Sequence, residues 1–179
     1  MFQAPQRSAT TYVAPPSNLS LDDRYLFKVI KIEDQGVSKY ADPTKGENHH
    51  DIRWEFNVAQ ADSKTPIFDP EGNPWVFVDY TTSKIGKNPK SGMVAKARLW
   101  IEAFLGRSVE DEEAAACGPA QLVGKYAVGF FEEKERESQD GTPYTKLAIM
   151  RLSPFRPGQK SEPKPEPPPP PPSNPDLPF

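Results

Sequence analysis

Apolar and polar positions alternate most regularly where Ile52, Trp54, Phe56 and Val58 interleave with Arg53, Glu55 and Asn57. A period of two over that length predicts a strand burying one face, with Trp54 and Phe56 in the core. Upstream, Arg24 to Glu33 is β-branched and aromatic with apolar residues at both parities, and predicts a long strand serving two surfaces. Between these strands, Asp34 to His49 holds Gly36, Asp42-Pro43 and Lys45-Gly46, all turn formers, and predicts a long loop. The run from Trp75 to Tyr80 predicts a third strand, with Val76, Val78 and Tyr80 on one side and Trp75, Phe77 and Asp79 on the other. Both sides carry apolar surface, so its rings fit either the inside of a closed wall or an exposed platform.

After Ser91-Gly92, the residues Val94, Ala97, Ile101, Phe104 and Leu105 recur at helical spacing, and Gly106 is suited to end the helix. Ser108 to Ala116 predicts a second, short helix with Ser108 as its N-cap and acidic residues in its first turn. The last two apolar runs, Lys125 to Lys134 and Pro143 to Leu152, flank Gln139-Asp140-Gly141-Thr142, a strong hairpin signal. Three strands, a helix and a two-stranded hairpin predict an all-β protein with one or two helices. The order matches the five-stranded Greek-key barrel of the OB-fold, whose helix lies between strands three and four. Such barrels bind ligands on strands two and three and on the first-second and fourth-fifth loops.

Composition divides the chain into a polar N-terminal arm over 1–20, one folded unit over 21–156 and a proline-rich tail over 157–179. The net charge of −3 would disfavour a polyanionic partner if it were spread evenly. It is not: Lys84, Lys87, Lys90, Lys96, Arg98 and Arg107 face only Glu102 within their segment, and Glu110 to Glu113 follow as an acidic block. Cys117 is the only cysteine, so no internal disulfide or cysteine-based zinc site is expected. No run approaches the length of a membrane span or a secretory leader, and the expected location is cytoplasmic.

An oligonucleotide on the binding face of such a barrel would require cations for the backbone and ring faces for the bases. The candidates are Lys39 and Tyr40 in the first long loop, Arg53 on strand two, and Trp75 and Phe77 on strand three. Lys84, Lys87 and Lys90 precede the helix, and Lys134, Arg136 and Tyr144 flank the last hairpin. The alternatives are a solvated loop for Lys84 to Lys90 and a mixed-charge hairpin, since Glu132, Glu133, Glu135 and Glu137 interleave with its cations. His49-His50-Asp51 lacks the arrangement of a metal site, because adjacent strand residues point to opposite faces. No nucleophile motif or phosphate-cradling glycine loop is present, and neither a cofactor nor catalysis is expected.

The tail contains six consecutive prolines, Pro167 to Pro172, and ends in Asp176-Leu177-Pro178-Phe179. That tip resembles the acidic-hydrophobic C-terminal tip of bacterial and phage single-stranded DNA-binding proteins, though only Asp176 stands close to the final tripeptide. The segments Lys90-Ser91-Gly92 through Leu105-Gly106-Arg107, Leu122-Val123-Gly124-Lys125 and Asp140-Gly141-Thr142-Pro143-Tyr144 are also similar to those of tailed-phage members of this class. The resemblance implies a non-enzymatic protein that coats exposed single-stranded DNA during replication, recombination or repair. It further implies that Asp176, Leu177, Pro178 and Phe179 recruit replication or recombination proteins, with self-association as an option. The competing expectation is an OB-fold adaptor whose proline run docks on a polyproline-reading domain.

Overall fold

The computed structural model describes residues 15–88, 91–138 and 140–158; Lys90 and the tail from 159 to its tip lie outside them. Five strands are present: β1 (Tyr25–Val37), β2 (His50–Gln60), β3 (Val76–Thr82), β4 (Tyr126–Glu137) and β5 (Pro143–Pro154). Three helices fall between β3 and β4: α1 (Lys96–Leu105), α2 (Asp111–Ala116) and α3 (Pro119–Leu122). The strands form one antiparallel sheet in the order β3-β2-β1-β4-β5. No helix among the described residues is long and apolar enough to cross a membrane.

The two-sided apolar pattern of β1 has a direct structural counterpart. Tyr25, Phe27 and Val29 enter the main core, while Leu26 packs with Ala61 and Val128 in a small cluster on the opposite face. A register shift between Val29 and Lys31 inserts one residue into β1, and Ile32 returns to the main core despite its even number. From β2, Trp54, Phe56 and Val58 point inward as the alternation predicts.

Two aromatic groups fill the interior. Phe131 of β4 is fully buried, with ring centroids 5.1 Å from Tyr25, 5.1 Å from Phe27, 5.6 Å from Trp75 and 4.9 Å from Phe77. Helix α1 lays Trp100 and Phe104 against Trp54 and Phe56 at 5.3 to 6.2 Å. Gly106 ends α1 in the left-handed conformation at φ 72°, and its N–H returns to the Glu102 carbonyl. Gly129 is needed for a different reason: a Cβ there would run into the backbone carbonyl of Arg151 on β5.

Three expectations shift. The Ser108 N-cap is displaced to Glu110, with Asp111, Glu112 and Glu113 in the first turn of α2, where the helix dipole accommodates them. The single turn α3, opened by Pro119, carried no periodicity to announce it. The end of the expected arm is also tied down: Pro16 is buried, Leu19 packs on the core, and Tyr25 Oη donates to the Ser20 carbonyl at 2.9 Å.

The edge strands β3 and β5 share no ladder, yet one side chain joins them. Asp79, 2 % exposed on the inner face of β3, accepts from the Ile149 N–H of β5 at 3.3 Å and from Lys96 Nζ at the start of α1 at 2.9 Å. Its other oxygen accepts from the Tyr80 N–H at 2.8 Å and from Lys146 Nζ of β5 at 3.5 Å. Burial pushes the Lys96 ammonium below the ordinary lysine range, against the opposing pull of Asp79.

Candidate nucleic-acid interface

Strand register decides which rings face outward. Trp54 pairs with Asp79 and Phe56 with Phe77 across β2 and β3, so the inward parity of β2 carries Phe77 and Asp79 inward too. Trp75 is 2 % exposed and Phe77 6 %, both packed on Phe131. The expectation that they could form a stacking platform is therefore corrected: they are core. The exposed ring of β3 is Tyr80, opposite Arg53 and 36 % exposed. Lys146 Nζ lies 5.4 Å from its centroid, a cation beside an available ring face.

Arg53 does sit on the outer face, but its charge is engaged. Its guanidinium lies 2.7 Å from Glu55 and 3.2 Å from Glu33, with little of the side chain exposed. It braces β1 against β2 and offers little charge to a phosphate.

The loop residues form a second group beyond the end of β3. Lys39 lies over the exposed ring of Tyr40 at 5.0 Å. Their loop is closed by the Ser38 N–H to His49 carbonyl bond at 2.9 Å and by a 3-10 turn capped by Asp42. Lys84 lies 3.6 Å from Glu47 of the same loop, and Lys87 is exposed. The Ser83 N–H bonds the His50 carbonyl, which places this group three residues from Tyr80, or about 10 Å along the strand.

The β4–β5 hairpin supplies the third group. Arg136 and Tyr144 are cross-strand partners and both exposed, while Lys134 pairs in register with Lys146 and lies 2.8 Å from Glu132. Lys146 thus links Tyr80 on β3 to Lys134 on β4.

A cleft of about 730 Å³ between α1 and β5 continues from there. Lys96, Arg107, Lys134, Arg151 and Arg156 line it, and Glu102 is its only carboxylate among the described residues. Arg107 is held by Glu113, whereas Arg151 and Arg156 are exposed with no carboxylate partner among the described residues. Sequence reasoning missed Tyr80, Lys146, Arg151 and Arg156. The two arginines lie at the end of β5 away from the hairpin turn, with Arg151 opposite Phe130, and no pattern in the sequence sets them beside α1.

His50 Nδ1 lies 2.7 Å from Asp34, and this contact holds the Asp34 carboxyl below its usual range. Among the described residues no group of three or more His, Cys, Asp or Glu is placed to hold a metal ion. Comparison of the chain with protein-family models, with curated proteins and with solved structures gives no match.

Proposed function

We propose that this chain binds unpaired polynucleotide, single-stranded DNA in the first instance, along a track from Tyr80 and Lys146 past Lys134 into the cleft between α1 and β5. The observation that carries the reading is the cleft itself: five cations line it, and although Lys96, Arg107 and Lys134 are paired with Asp79, Glu113 and Glu132, Arg151 and Arg156 have no carboxylate partner among the described residues, in a chain of net charge −3. Segregated cations supply the sequence-independent backbone attraction, and ring faces receive bases only where no partner strand covers them. Tyr40 with Lys39 and Tyr144 with Arg136 flank the track at its two loops.

The architecture supports the same reading. We read the sheet order β3-β2-β1-β4-β5, with α1 between β3 and β4 and Asp79 joining the free edges, as support for a partly open OB-fold barrel. In that fold, oligonucleotides lie over strands two and three between the first-second and fourth-fifth loops. The protein acts by occupying the strand and shielding it during replication, recombination or repair, with no chemistry of its own.

The readout for testing this is the anisotropy of a labelled oligo-dT. Trp54, Trp75 and Trp100 are all buried, so direct quenching of tryptophan by bases is not expected. Tyr80→Ala should lower affinity about 5- to 150-fold, the loss of one stacked base at ~1–3 kcal/mol, with an unchanged circular dichroism spectrum. A loss under twofold would remove Tyr80 from the track. The recruiting role of Asp176 to Phe179, outside the described residues, is a separate part of the proposal. Deleting these four residues should abolish capture of replication or recombination enzymes and spare oligo-dT affinity; loss of DNA binding would contradict that division.

A further inference from the structure

The outer face of the sheet carries a second concavity, a groove of about 520 Å³ that the track described above does not use. Phe68 from the β2–β3 connection, Tyr126 at the start of β4 and Phe155 just past β5 line it. Phe68 and Tyr126 are 50 % and 40 % exposed, and with Phe155 they gather three rings into one patch. Two lysines stand over these rings: Lys28 Nζ lies 5.6 Å from the Tyr126 centroid and Lys64 Nζ 5.8 Å from that of Phe155. The lining contains no carboxylate, and neither lysine has an ion-pair partner among the described residues.

That composition selects its occupant. An apolar helix or a second copy of a net-acidic chain would find rings, but would leave two desolvated ammonium groups to be matched. A ligand with flat apolar faces linked by regularly spaced anions matches both features at once. The groove is also continuous with the cationic cleft. Phe155 lines the groove, while its neighbours Pro154 and Arg156 line the cleft, so one short stretch of chain separates the two. Lys64 adds a further sign: it holds φ 57°, a left-handed conformation that glycine adopts without strain, yet a long cationic side chain is kept there.

We infer that the bound strand leaves the cleft at Arg156, crosses the Phe155 ring and lays further bases on Tyr126 and Phe68, with Lys28 and Lys64 contacting the phosphates. The inference rests on the single-strand reading above and extends the path to a second stacking subsite. Along β2 the groove residue Asn57 lies four positions from Arg53, about 14 Å, so the two ring sites are reached together only by a strand several nucleotides long.

Length dependence therefore provides the test. Full-length chain would be titrated with labelled oligo-dT of about 6 and about 16 nucleotides, both within the ~4–16-nucleotide range of site sizes for one barrel. The double variant Tyr126→Ala/Phe68→Ala removes two half-exposed rings with little effect on the core. It should weaken the longer oligonucleotide at least tenfold and leave the shorter within twofold. Lys64→Gly should weaken the longer one several-fold while thermal stability holds or rises, a combination that a structural role for Lys64 would not produce. Photo-crosslinking of a 5-iodouracil-substituted longer strand should label Tyr126, Phe68 or Phe155.

Unchanged affinity for the longer strand in the double variant, or equal loss at both lengths, overturns the second subsite while the single-strand reading stands. A wild-type chain that binds neither length sinks both together. If binding is unaffected but the double variant sediments as a lighter particle than wild type, the groove is a contact between copies of this chain and the inference is wrong.

Discussion

Asp79→Ala is expected to destabilise the fold by about 3 kcal/mol, read as a lower midpoint in urea denaturation. The carboxylate is almost fully buried and takes four donors: the N–H groups of Ile149 and Tyr80 and the ammonium groups of Lys96 and Lys146. Its removal strands the Ile149 N–H at an edge with no ladder partner on β3 and opens a void beside Trp54, the cross-strand neighbour of Asp79. The two lysines soften the effect, since each is more than a third exposed and can turn toward water. Asp79→Asn, which keeps one acceptor in place, should lose less than the alanine variant. A change under about 1 kcal/mol for Asp79→Ala, the range of an ordinary surface substitution, would show that β3 and β5 are held together by something else.

Affinity for oligo-dT should fall steeply with salt, with a log-log slope of about −2 to −4. The figure follows from three to five phosphate contacts at roughly −0.7 each on single strands. The structure supplies cations of the right number, but of unequal availability. Arg151 and Arg156 lack carboxylate partners among the described residues, Lys134 and Lys146 are shared with Glu132 and Asp79, and Arg53 is consumed by Glu33 and Glu55. Between 0.05 and 0.5 M salt the expected loss is therefore about 100- to 10,000-fold. Reversing Arg151 and Arg156 to glutamate should flatten the slope, whereas Arg53→Gln should act mainly on stability. A flat dependence in the wild-type chain would remove backbone electrostatics from the account.

What the chain reveals in its sequence, and what it conceals, follows from strand geometry. The alternation from Ile52 to Val58 identified β2 and its inner face because charged residues marked the outer one. In β3 both parities are apolar, and only the pairing of Phe56 with Phe77 places Trp75 and Phe77 inside and Tyr80 outside. Register between strands is a tertiary property, so no pattern within Trp75 to Tyr80 could have chosen between the two faces. Helix α1 was legible from its spacing. Helix α3 was not, since four residues cannot express a period of 3.6.

The site was less legible than the fold for a related reason. Counting cations along the chain finds Lys84 and Arg53, but not that Glu47, Glu33 and Glu55 pair with them in space. The cleft cations come from α1, β4 and the end of β5, widely separated in sequence and brought together by the turn of the sheet. Asp79 shows the same limit. It reads as one acid in an apolar strand, and its role appears only when Ile149, seventy residues away, is set beside it.

The central claim is that this surface holds a strand whose bases are unpaired. The most direct measurement compares one labelled oligonucleotide, alone and annealed to its complement, titrated with the full chain at the same moderate salt. The single strand should bind at least tenfold more tightly, because stacking on Tyr80 requires base faces that a duplex hides. Equal affinity for the two forms, or no binding to either, would contradict it.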